Sequence, residues 1–160
     1  MLPVCNQYGI IIDVEKMHTT ATRTSTYDQI TFFVCRGLSW TDYQVDLTIR
    51  SQDNDGIGVM LRYQDSDNYH RFSWDRERSF RRLVKKQGGV FTLLAGDSVL
   101  YTIGQTYQLR IIAHGALLTV SIDGVPVFSL TDGALSSGSI ALYTWANAGS
   151  YFDDVVVEAF

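Results

Sequence analysis

Four residues carry the strongest hint of chemistry in this sequence: Arg62, Arg71, Tyr143 and Trp145. They fall in segments whose apolar residues recur at every second position, the pattern of strands, where alternate side chains leave opposite faces. In GVMLRY, Met60 and Arg62 share one side, while Val59, Leu61 and Tyr63 share the other. In YHRFSW, parity separates Tyr69, Arg71 and Ser73 from His70, Phe72 and Trp74; in IALYTW it separates Ala141, Tyr143 and Trp145 from Ile140, Leu142 and Thr144. The mostly apolar sets suit a core, which leaves Tyr143 and Trp145 outside it. An arginine among apolar residues must find a partner or reach solvent. Two guanidinium groups beside exposed rings, with Tyr69 as a further ring, could grip a flat polar ligand: the rings stack on its face and the forks match its oxygens. The competing reading is ordinary strand aromatics and solvated cations.

A second concentration of charge follows directly. Arg71, Arg76, Arg78, Arg81, Arg82, Lys85 and Lys86 place seven of the thirteen cations within sixteen positions, in a chain whose net charge is -4. Such a run could bind a carboxylated or sulfated ligand, or it could guard a strand edge against aggregation. Asp75 and Glu77 interrupt it and favour the second reading. The acidic balance argues against nucleic acid, which needs cations over much of one surface.

Other chemistry finds less support. His18, His70 and His114 lie in or beside three different expected strands with no nearby Cys or Ser motif, so neither a triad nor a two-His metal site follows. DNDG at 53–56 resembles the start of a calcium-binding loop, but no Glu follows where such a loop needs one and no helix flanks it; it reads as a turn. Cys5 and Cys35 are the only cysteines, either a disulfide or two buried thiols. Two thiols alone cannot make a four-ligand zinc site.

The elements that position these groups are strands almost throughout. The alternation predicts them at 9–14, 19–24, 29–35, 43–50, 57–63, 69–74, 79–86, 89–94, 107–114, 117–122, 125–131, 139–145 and 151–158, with no convincing helical stripe. QDSDN at 64–68 supplies side chains that bond their own backbone, so 57–74 reads as a hairpin. QGG, HG and DG at 87–89, 114–115 and 123–124 put glycine where tight turns want positive φ. The mixed stretches 98–106 and 131–138 carry the chain between sheets. At 160 residues the chain is sized for one domain with one core. No apolar run is long enough to span a bilayer, and no export signal is visible at the start, so the chain reads as a mature form or a piece of a longer protein.

The succession WTDYQVDLTIR, GIGVMLRYQDSDNYHRF, RRLVKKQGGVFTLLA, TYQLRIIAHGALLTVSIDGVPVF and LSSGSIALYTWANAGSYFDDVVV resembles the concanavalin A-like lectin/glucanase superfamily, in its LamG-like branch, over residues 38–158. The resemblance implies an all-β, antiparallel two-sheet jelly-roll sandwich. It also implies an extracellular or cell-surface, non-catalytic module that binds carbohydrate across a curved sheet face. Arg62, Tyr69, Arg71, Tyr143 and Trp145 are then the candidate site, and an acidic polysaccharide is a candidate ligand. The rival is an adhesion or structural domain that binds protein or self-assembles through an edge strand; a third reading is an accessory domain of a polysaccharide-degrading enzyme. Catalytic relatives carry ExDxxE on one strand, and WDRERSF lacks that spacing. Many members hold structural calcium, for which FDDV at 152–155 offers Asp153 and Asp154, at most one of them as an inward ligand. The family's acidic first strand has no match before Tyr8, so residues 1–160 form a single domain that lacks this strand, borrows it or was excised from a longer chain.

Overall fold

A computed structural model describes residues 10–12, 30–34 and 38–160, the first two segments as backbone only. The expected strand at 19–24 and both cysteines, Cys5 and Cys35, lie outside the described residues. Within them the chain forms twelve strands and no helix: β1 (Ile10–Ile12), β2 (Ile30–Val34), β3 (Tyr43–Ser51), β4 (Gly56–Asp65), β5 (Asn68–Asp75), β6 (Phe80–Gln87), β7 (Val90–Asp97), β8 (Thr106–His114), β9 (Leu117–Ile122), β10 (Val125–Thr131), β11 (Ser139–Trp145) and β12 (Ser150–Ala159). They assemble into two antiparallel sheets, a back sheet ordered β1-β12-β3-β8-β9-β10 and a front sheet ordered β2-β11-β4-β5-β6-β7. The stretch after β7 and the stretch after β10 carry the chain between sheets, as the sequence predicts, and the turn after β11 crosses once more.

Strand parity builds the core. Along β3, Tyr43, Val45, Leu47 and Ile49 are buried and alternate with the partly exposed Gln44, Asp46, Thr48 and Arg50. They pack against Ile57, Val59, Leu61, Phe72, Trp74, Leu83, Ile140 and Leu142 of the front sheet. Burying each large side chain contributes about 1.5–3 kcal/mol, so this layer is the main source of cohesion. Local turn chemistry sets the registers. Asp65 Oδ1 accepts the Asp67 N–H at 2.8 Å and the Asn68 side-chain amide at 2.9 Å, closing the β4–β5 hairpin. At the β9–β10 turn, Asp123 and Gly124 both take positive φ, 50° and 76°, the pair a two-residue hairpin requires.

Beside β12 lies β1 of this chain, Ile10 pairing with Val157 and Ile12 with Val155. One sequence expectation changes. The basic run does not form an edge: β6 lies between β5 and β7, and β7 carries the edge with Val90, Phe91 and Leu93 exposed.

Candidate functional site

The outer face of the front sheet is read off its registers, since directly opposed residues of antiparallel strands project to the same side. Trp145 faces Gly56, which faces Asp75; Tyr143 faces Gly58, which faces Ser73, which faces Arg82. Ala141 faces Met60, which faces Arg71, which faces Val84. These residues form a second apolar cluster, separate from the core, made of Met60, Tyr69, Ala141 and Tyr143 with Tyr63 and Trp145 packed against it. Tyr143 and Trp145 therefore lie outside the core, as parity predicts.

The middle of this face is low. Gly58 has no side chain, and a Cβ there would collide with the Phe72 carbonyl oxygen of the neighbouring strand. Ser73 beside it is small. The walls are larger groups: the Arg71 guanidinium stands 4.4 Å from the centre of the Tyr143 ring and 5.3 Å from that of Phe91. Arg82 lies 3.8 Å over the Phe80 ring, and Arg78 lies 5.6 Å from the Trp145 ring. Tyr69 stacks on Tyr63 at 5.9 Å and meets Phe91 edge-on at 6.4 Å.

Four buried polar atoms on this face lack a hydrogen-bond partner: Arg71 Nε, Ser73 Oγ, Arg82 Nε and Trp145 Nε1. Native interiors rarely leave such groups unsatisfied, and each costs about 1–3 kcal/mol. Their clustering among rings marks a place where a ligand's polar atoms would complete the structure. The electrostatics agree. Burial pushes the Tyr143 hydroxyl pKa up against the pull of Arg71 and Arg82, and burial followed by the charge of Arg71 pushes that of Arg82 down. At one end of the face, burial first, then the Glu77 carboxyl, raises Asp55 to about 6. Arg78 Nη1 donates to Asp75 at 2.8 Å and to Asp55 at 3.3 Å.

Of the five candidate residues, Tyr69, Arg71, Tyr143 and Trp145 share this face, and Arg62 does not. A register shift after Leu61 and a φ of 45° at Arg62 break the alternation. The same bulge carries Tyr63 to the outer cluster, opposite to its parity assignment with Val59 and Leu61. Arg62 is buried and donates to the carbonyls of Leu135, Thr41 and Gly115 at 2.9, 2.9 and 2.6 Å. It ties loops together and cannot serve a ligand on the front sheet. Ser73 and Phe91 join the face without having been singled out, and Arg82 joins it from the basic run. Their parity with Arg71 and the alternation of β6 carried the signal, but the pairing of β5 with β6 and β7 was needed to align them.

Asp153 and Asp154 are both exposed at a bulge in β12, so neither points inward. Among the described residues no three His, Cys, Asp or Glu side chains converge as a metal site. Asp154 helps line a groove of about 440 Å³ on the back sheet with Asp46, Thr48, Gln108, Arg110 and Ser121. In that groove the one cation is already met within the protein, Arg110 Nε donating to Asp46 at 2.6 Å. No aromatic ring lines it. The front face is the better candidate because its donors are unmet.

Fold and face together define a jelly-roll sandwich of the concanavalin A-like and galectin-like kind. The chain belongs to the 3-keto-alpha-glucoside-1,2-lyase-like domain family, whose model matches residues 8–158. Among solved structures it is similar to the carbohydrate-binding module CBM66 of Bacillus subtilis, at 21% identity and a TM-score of 0.74 over 84% of each chain. A Bacillus subtilis protein of unknown function with a galectin-like fold matches at 19% identity and 0.66, over 81% of this chain and 77% of that one. Caenorhabditis elegans galectin LEC-6 matches at 13% identity and 0.61, over 80% and 89%. At these identities the likeness is one of fold, and it does not single out the LamG-like branch. The sequence matches none of the curated proteins with which it was compared.

Proposed function

We propose that this domain is a non-catalytic, extracellular carbohydrate-recognition module that binds glycan on the outer face of the front sheet. The observation that carries the reading is the set of four unpartnered buried polar atoms between Tyr143, Trp145 and Phe91. Sugars present apolar faces to rings and hydroxyl oxygens to donors, and this face offers both. The carbohydrate-binding module and galectin among the structural neighbours support it by analogy of fold alone. A glycan array probed with the purified domain tests the reading. Saturable binding to a defined sugar class supports it, and silence over a broad array counts against it.

A second reading is favoured by one observation. Asp55 and Asp75 share the Arg78 guanidinium nitrogen, so their carboxylates are no further apart than the sum of 2.8 and 3.3 Å. One acid held near pH 6 beside a second carboxylate is the pairing that acid–base work on a glycoside uses. The family's lyase-like description gives this reading added weight. Product formation from a 3-keto-glucoside that is lost in both Asp55→Asn and Asp75→Asn would establish it.

A further inference from the structure

The basic run divides into paired and unpaired members. Arg78 meets Asp75, Arg81 meets Asp97 at 2.7 Å, Lys85 meets Asp132 at 2.8 Å and Lys86 meets Asp67 at 3.3 Å, while Arg76 donates to the Tyr101 carbonyl at 2.7 Å. Arg71 and Arg82 have no carboxylate within ion-pair distance among the described residues. Asp75, the acid on the same face, is turned away: its two oxygens accept from the backbone N–H and the guanidinium of Arg78. Arg71 is only 5% exposed, and both arginines keep a buried, unpartnered Nε.

Two cations of like sign are thus held together in a partly dry place without a counter-ion. Burial of charge is costly unless an opposite charge or several hydrogen bonds compensate, and the ring contacts return only about 0.5–2 kcal/mol each. The unmet atoms also have a direction. Arg71 Nε, Arg82 Nε and Trp145 Nε1 can only donate, and Ser73 Oγ alone can do either. A neutral hydroxyl brings a proton that needs an acceptor, and among these four atoms only Ser73 Oγ could take it. A carboxylate or sulfate brings acceptors only, and the planar guanidinium fork fits either.

We propose that the glycan recognised by the front sheet is acidic, and that its carboxylate or sulfate group binds between Arg71 and Arg82 above Ser73. Tyr143 and Trp145 then hold the sugar ring that carries the charge. This inference rests on the carbohydrate-binding reading and narrows it to one ligand class.

Matched probes separate the two. Titration calorimetry compares oligogalacturonate with its carboxyl-reduced counterpart, and a sulfated galactan oligosaccharide with its desulfated one. The acidic member of at least one pair should bind about tenfold or more tightly than its neutral partner, and its affinity should fall as salt rises. Arg71→Gln and Arg82→Gln should each abolish that preference, with melting curves confirming that the variants fold. The pair that discriminates identifies the anion as carboxylate or sulfate. Equal binding within both pairs, or binding of neutral glycans alone, overturns the acidic inference and leaves carbohydrate recognition standing. No binding of any probe, with a silent glycan array, overturns both.

Discussion

Arg71 and Tyr143 sit face to face across the front sheet, the guanidinium 4.4 Å from the ring centre, although 72 positions of sequence separate them. The contact arises because β4 lies between β5 and β11, and Gly58, the β4 residue facing Tyr143, carries no side chain. The arginine keeps Nε free for a ligand while its charge rests on the ring. The proposed site therefore depends on pairing three strands in one register.

Arg62 provides a contrast on the same hairpin. Its guanidinium holds three carbonyls from separate loops, and Arg62 N–H donates to the Tyr43 hydroxyl at 2.7 Å. Arg62→Ala should destabilise the domain by about 3–5 kcal/mol, because it leaves buried acceptors unpaired and opens a cavity. Urea denaturation measures this. At temperatures where the variant stays folded its glycan affinity should match the unmodified domain, whereas Arg71→Ala should lose affinity with little loss of stability.

Gly58 should tolerate no side chain. Gly58→Ala drives a methyl into the Phe72 carbonyl and against the Ser73 Cα, backbone atoms of β5 that cannot yield cheaply. We expect a loss of about 1–3 kcal/mol in thermal or urea unfolding, together with weaker ligand binding as Ser73 and Tyr143 are pushed apart.

Asp55 gives the stability a pH signature. Its carboxyl is raised from 3.8 to about 6, mainly by burial and then by the hydrogen bond with Glu77. Between those values the folded chain holds a proton that the unfolded chain has released, so this group's stabilising contribution is full below about pH 4 and is lost as pH rises through about 6. Asp55→Asn removes that dependence. The variant should gain about 1–3 kcal/mol relative to the unmodified domain between pH 4 and pH 8, as read from unfolding curves at both values.

Much of this architecture was legible in sequence for a physical reason. Strand parity is local, so the alternation in YQVDLTIR and IALYTW locates both the core residues and the outward Tyr143 and Trp145. The crossings at 98–106 and 131–138 were equally local, marked by broken alternation. Parity fails where the backbone adds a residue, and nothing in LRYQD announces the bulge that turns Arg62 inward. Sheet order is also non-local. The run from Arg71 to Lys86 looks like an edge until β7 covers it, and the unpaired status of Arg71 and Arg82 emerges only when each other cation finds its partner.

The proposed glycan site is the front sheet, and not the back-sheet groove. The most direct measurement is the affinity of a glycan-array hit for Tyr143→Ala, Trp145→Ala and Arg110→Ala, each verified as folded. Both ring deletions should lose about tenfold or more in affinity, from the stacking and apolar contact removed, and Arg110→Ala should change nothing. Undiminished binding by both ring variants, or a loss confined to Arg110→Ala, would contradict it.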